Sequence, residues 1–264
     1  FLMALIGSSY KGNLMTYRPS TSYRDDVALG KVSGVSSWTK FGYNADVDTA
    51  VEVLAEFGGT YTPPSTASTL TVVSSSANDV STTGTGARTL TVYGIDANRD
   101  SQIEVVSLNG TTNVVTTSTW LGINRVSVEV AGTLLGNDGN ISITATTGGA
   151  TLATMPAGQG TSQQCIFHTF SGTTSLLESI YLSGSKPAGA GTIIDFKLWV
   201  YSAVSNATYE IYRYSMDTTV ETSVELRPDI PFKIGEDSVV YFEAVAGANN
   251  TEVAGRFTLT VYNN

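Results

Sequence analysis

Arg88-Thr89-Leu90-Thr91-Val92-Tyr93-Gly94-Ile95 places Leu90 and Val92 on one side of an extended chain and Thr89, Thr91 and Tyr93 on the other. That period of two is the mark of a half-buried β-strand. Upstream, Leu70-Thr71-Val72-Val73 leads into a Ser/Asp loop. Downstream, Gln102-Ile103-Glu104-Val105-Val106-Ser107-Leu108 runs into Asn109-Gly110 and returns through Thr111 to Thr117, a strong β-hairpin signal. Arg125–Val130 and Asn140–Ala145 follow, separated by Gly136-Asn137-Asp138-Gly139. Short strands at this spacing suit a sandwich.

A second block begins near Cys165–Phe170. Its strands are Thr192–Tyr201, Thr208–Tyr214, Ser238–Ala244 and Gly255–Tyr262, with aromatics on alternate positions that can fill a core. Tyr61-Thr62-Pro63-Pro64 breaks regular structure and marks a boundary. The expected fold is all-β: two β-sandwich (jelly-roll-like) domains, 62–163 and 164–264, preceded by an extended N-terminal arm and leading strand over 1–61.

Within that arm, residues 1 to about 44 read as irregular and mildly basic, with Lys11, Arg18, Arg24, Lys31 and Lys40 spread along it. The apolar start Phe1–Ile6 lacks the basic flank of a signal peptide. It suits a segment that docks on a neighbouring subunit. Asp46–Phe57 is compatible with a helix face (Val47, Ala50, Val51, Leu54, Phe57) or a strand face (Val51, Val53, Ala55, Phe57), and strand is the preferred reading.

Composition limits the chemistry. The chain has 264 residues, 41% hydrophobic and only 14% charged, with 23 acidic against 14 basic residues for a formal net charge of −9. Phosphate backbones and anionic lipid surfaces both demand clustered Lys and Arg, which argues against nucleic acid or membrane as partner. No run of eighteen apolar residues occurs. One cysteine, Cys165, cannot form an internal disulfide, and it reads as a buried small hydrophobe.

Each candidate for chemistry meets a plainer explanation. The single histidine, His168, lies three residues after Cys165, so in a strand the two side chains point to opposite faces and form no dyad. Asp96-Ala97-Asn98-Arg99-Asp100 has the alternating oxygens of a calcium loop, but Ser101 and Ser107 stand where the EF-hand Gly and Glu belong. Trp38, Trp120, Trp199, Tyr209, Tyr212 and Tyr214, read as exposed aromatics, offer sugar-stacking surfaces as well as packing groups. Four sequons, at Asn109, Asn140, Asn206 and Asn249, are unsurprising in a Thr-rich chain. The expectation is no catalytic, cofactor or metal residue, no cofactor, and no enzyme activity.

Gly42–Thr49 through Phe57–Tyr61, Ser74–Asp79 through Gly84–Thr89 and Gly94–Asp96, and Glu104–Gly110 together resemble the virion structural proteins of tailed bacteriophages, particularly marine ones. The closing stretch Ile230–Ile234 to Ala248–Val253 is similar to the C-terminal part of the same group. The resemblance covers about 40–264 and rests on turn-and-strand patterns. It implies a location in the phage particle and no site residue. A capsid decoration or cement protein, homo-oligomeric and bound to the major capsid protein or neighbouring virion proteins, is the first functional expectation. A tail or neck adaptor or fibre base is the second. A carbohydrate-binding receptor protein is the rival from another class.

Overall fold

The computed structural model describes residues 22–186, 189 and 191–264. The apolar start Phe1–Ile6 and the arm bases Lys11 and Arg18 lie outside the described residues.

The described chain is all-β apart from one short helix, α1 (Tyr23–Ala28). Its N-cap Ser22 accepts the Asp25 amide at 3.2 Å, and Val27 is its buried residue. The strands follow in order. The first five are β1 (Val35–Val47), β2 (Glu52–Val53), β3 (Leu70–Ser74), β4 (Ala87–Ile95) and β5 (Ser101–Ser107). Then come β6 (Val114–Val115), β7 (Gly122–Ala131), β8 (Ile141–Ala145), β9 (Thr151–Met155) and β10 (Ile166–His168). The rest are β11 (Thr173–Ser185), β12 (Ile193–Ser202), β13 (Ala207–Asp217), β14 (Ser223–Leu226), β15 (Phe232–Ile234), β16 (Ser238–Ala246) and β17 (Thr251–Asn263).

They form four sheets around two principal cores. One sheet has the order β1-β17-β11-β14, with β15 also on β11, and a second has the order β10-β16-β12-β13, with β2 on β16. Their facing side chains share one core. It includes Leu177, Ile180 and Leu182 from β11, Phe257 and Leu259 from β17, Phe196 and Leu198 from β12, and Phe242 from β16. Burial alternates strictly along β12, where Ile194, Phe196, Leu198 and Val200 point inward. Each such side chain contributes about 1.5–3 kcal/mol by leaving water.

The other two sheets, β6-β3-β8-β9 and β5-β4-β7, share the second core. Leu70, Val72, Ile141, Ile143 and Met155 face Leu90, Val92, Val106, Ile123 and Val126 across it. The described chain therefore starts in the first sheet pair, leaves through Tyr61–Pro64, builds the second pair, and returns at Gln164.

Two sequence expectations are corrected. Residues 35–44 are not irregular: they are most of a 13-residue strand paired antiparallel to β17, from Val35↔Tyr262 to Asn44↔Val253. Its buried positions are Lys40, Gly42, Asn44 and Val47, so no apolar alternation announces it. The Asn109-Gly110 hairpin does not form either. β5 pairs with β4, whereas β6 pairs with β3 in the opposite sheet, so the turn crosses between sheets. Leu108 is held inward by its amide bond to the Arg88 carbonyl, and the Gly110 amide donates to the Asp79 carbonyl at 2.7 Å. These contacts carry the chain across to the other sheet rather than back along β5. Asp46–Phe57 forms no helix: it holds the end of β1, the two-residue β2 and a bridge from Ala55 to Gln164, with bends and turns between them, so the strand reading holds only in part.

Candidate functional site

The residues with most chemical capacity converge where the two sheet pairs meet. Lys40 on β1 is buried and donates its ammonium to the Asn124 carbonyl. Asn124 on β7 brackets His168: its Oδ1 accepts the His168 amide at 2.7 Å and its Nδ2 donates to the His168 carbonyl at 2.9 Å. The His168 ring shares a 3.3 Å hydrogen bond with the Tyr61 hydroxyl. Against the ring lies Gly122, where a Cβ would stand 2.3–2.4 Å from three ring atoms, so only glycine fits. Further bonds cross the same boundary: Gln164 Nε2 to the Ile123 carbonyl at 2.9 Å and Ser171 amide to the Arg99 carbonyl at 3.0 Å.

An aromatic stack seals the junction's flank. The Arg125 guanidinium sits 4.5 Å from the Tyr93 ring centroid and 5.9 Å from that of Trp38. Trp38 in turn packs on Phe167 and Phe170 at 5.4 and 5.8 Å. Trp38 belongs to one sheet pair and Tyr93 to the other, so the cation bridges them.

Electrostatics fit a sealed joint. Burial pulls the Lys40 ammonium down to about 7, partly opposed by Cys165 and assisted by Arg125. Burial, with Arg99 and Lys40 nearby, lowers His168 to about 3, so its ring is neutral at physiological pH. Burial raises Tyr61 above the ordinary phenol range. Burial also pushes the Cys165 thiol up to about 12, and that thiol donates to the Gly255 carbonyl at 3.0 Å inside the first core. Cys165 and His168 thus diverge, as strand geometry requires, and neither presents a reactive atom to solvent.

The other sequence candidates are dispersed. Trp120, read as exposed, is buried at 1% in the second core. Trp38 and Trp199 are half-buried, in different sheets. Tyr209 is exposed, but Tyr212 and Tyr214 pack partly against the first core, and the Tyr214 hydroxyl donates to Glu221 at 2.5 Å. Asp96–Asp100 closes the β4–β5 hairpin. Asp96 Oδ1 accepts the amides of Asn98 and Asp100 at 2.8 and 2.9 Å, so its own loop occupies it. Among the described residues, no group of three or more His, Cys, Asp or Glu is placed to hold a metal. No described helix is long and apolar enough to cross a membrane.

Two features went unseen in the sequence. The first is Asp79, buried, whose carboxylate accepts Ser74 Oγ at 2.6 Å and the amides of Ala87, Asp138 and Gly139 at 2.7, 2.8 and 2.9 Å. It ties together three loops at one end of the second sheet pair. The run Ser74–Asp79 followed by Gly84 and Gly86 is the only local signal for it. The second is an open groove of about 590 Å³ beside the junction, lined by Phe57, Tyr61, Pro63, Pro64, Trp120 and Leu152 among small hydroxyl residues.

No protein-family model matches the chain, and no curated protein matches it. Among solved structures, the chain overlaps the VP2 subviral particle of infectious bursal disease virus at 13% identity. That overlap covers 87% of this chain and 72% of that one, with a TM-score of 0.24. The T13 particle of the same virus gives 13% identity, 87% and 73% coverage, and a TM-score of 0.20. Scores this low carry no argument about fold or function.

Proposed function

We propose that this chain is a non-enzymatic structural protein of a virus particle, built from two β-sandwich units fixed to one another at the Lys40–Asn124–His168 junction. What supports the reading is the placement of its reactive groups. Lys40, His168 and Cys165 are spent inside the protein, and strands rich in hydroxyls and amides face outward. Such a body works by contact. In its more specific form the proposal is a capsid decoration or cement protein of a tailed bacteriophage, bound to the major capsid protein. Many copies would turn weak contacts into firm attachment by avidity.

The arm is the proposed anchor, and its test must respect β1. Deletion of 1–40 would remove α1 and half of a paired strand, whereas deletion of 1–21 leaves every described element intact. Loss of the 1–21 deletion protein from purified particles, with unchanged circular dichroism, is the expected result. Normal occupancy would overturn the anchoring role. The groove beside Tyr61 and Trp120 favours a second reading, a saccharide-binding receptor protein. Glycan-array binding abolished by Tyr61→Ala, with the fold retained, would move the function there.

A further inference from the structure

None of the described residues that line the groove beside Tyr61 and Trp120 is charged, although the chain carries 23 acidic and 14 basic residues. A carboxylate, phosphate or ammonium entering it would shed water and meet no counter-charge. The occupant it suits is uncharged. Its volume of about 590 Å³ lies within the range of small-ligand sites, roughly 300–1,000 Å³.

The polar side chains of the lining are nearly all alcohols. Thr60, Thr62, Ser65, Thr66, Thr147 and Thr151 border the groove, and none of these six hydroxyls bonds to another group among the described residues. The main chain beside them is largely paired already. Ser68 and Trp120 donate their amides to each other's carbonyls at 3.0 and 2.8 Å, and Thr146 donates to the Thr69 carbonyl at 2.8 Å. The Ala145 amide donates to the Ala150 carbonyl at 2.8 Å, and Gly149 returns to Ala145 at 3.1 Å. Pro63 and Pro64 have no amide to offer. An extended peptide laid on these segments would find little main chain to pair with, and strand addition is how such a peptide gains affinity.

One donor is left over. Trp120 lines the groove at 1% exposure, and its indole Nε1 is buried without a hydrogen-bond partner. Tyr61, 8% exposed beside it, already has its hydroxyl on His168 at 3.3 Å. Buried N–H groups without an acceptor are rare in native proteins.

We propose that the groove binds an uncharged oligosaccharide, whose hydroxyls bond to the Thr and Ser lining and one of whose oxygens accepts the Trp120 indole N–H. A sugar ring has apolar C–H faces and a hydroxyl rim, which match Phe57, Pro63 and Pro64 set among free alcohols. Both halves of the molecule contribute. The Tyr61 ring packs on Tyr241 of β16 at 5.0 Å, whereas Trp120 and Leu152 belong to the second core. Such a site rests on the saccharide reading of the groove and narrows it to one charge class and one donor.

A glycan array carrying neutral and acidic oligosaccharides, probed with the full chain, comes first, followed by calorimetric titration of the strongest neutral binder. Neutral glycans should bind and acidic ones should not. Ala150→Trp, at an exposed position of the lining, should fill the groove and abolish binding with unchanged circular dichroism. Trp120→Phe removes the N–H and keeps an aromatic ring, and should raise Kd roughly 3- to 10-fold. An array on which no glycan binds would refute the saccharide reading and the site with it, leaving the virion role untouched. Binding of acidic glycans alone would keep the saccharide reading and overturn the charge class. Full affinity in Ala150→Trp would overturn the groove as the site, and full affinity in a folded Trp120→Phe would overturn the indole as the donor.

Discussion

Gly122→Ala tests the junction at its tightest point. The new Cβ would lie 2.3 Å from His168 Cε1 and 2.4 Å from both ring nitrogens, against about 3.4 Å for ordinary contact. The imidazole must retreat by roughly 1 Å. It cannot do so alone, because its amide and carbonyl are clamped by Asn124 and its ring bonds to Tyr61. Overpacking of a filled interior costs about 1–3 kcal/mol, and losing the Tyr61–His168 bond adds about 1 kcal/mol. The expected destabilisation is about 2–4 kcal/mol, read by urea unfolding, or a fall in Tm of about 5–15 °C for a chain of this size. The cause is checked by a double-mutant cycle with His168→Ala, which removes the ring that the methyl strikes. The two changes should couple by about 1–3 kcal/mol. A Gly122→Ala protein within 0.5 kcal/mol of wild type, or strict additivity in the cycle, would refute the reasoning.

Other outcomes follow from the same geometry. Lys40 has its pKa lowered from 10.5 to about 7 by folding, so its contribution to stability falls as pH drops from 10.5 to 7 and is constant below. That interval, at ~1.4 kcal/mol per pH unit, is on the order of 5 kcal/mol, and Lys40→Met should therefore flatten the alkaline rise in a urea-midpoint series. His168, lowered to about 3 from 6.5, adds a loss of stability as pH falls from 6.5 toward 3, and Asn at this position should remove that loss. Asp79→Asn presents an NH₂ to several N–H and O–H donors and should cost about 2–3 kcal/mol, with faster hydrogen exchange at Ala87, Asp138 and Gly139. Cys165, with its thiol at about 12, should react with a thiol reagent at pH 8 only after unfolding. Rapid labelling of the native chain would place the sulfur elsewhere.

The strands were legible where burial alternates along them, as in β3, β12 and most of β11. β4 and β12 read directly from their alternation, and so did the all-β class. β1 did not, since three of its four buried positions are Lys40, Gly42 and Asn44, which interrupt the apolar pattern before Val47. The Asn109-Gly110 turn misled for the opposite reason. Its local chemistry suits a hairpin, but long-range bonds from Asp79 and Arg88 send the flanking strands to different sheets. Trp120 was misjudged because a tryptophan between Thr119 and Leu121 carries no sign of which way it turns. At the junction, single polar residues far apart in sequence — Lys40, Tyr61, Asn124 and His168 — meet only through tertiary pairing, and none has a spacing that foretells the others.

The most direct test of a virion structural role is the copy number of this chain in purified particles, by quantitative mass spectrometry against the major capsid protein. A ratio equal to that of the capsid protein, or a simple fraction of it, is the expected result. Six or twelve copies per particle would move the protein to the tail or neck, and absence from particles would contradict the virion role altogether.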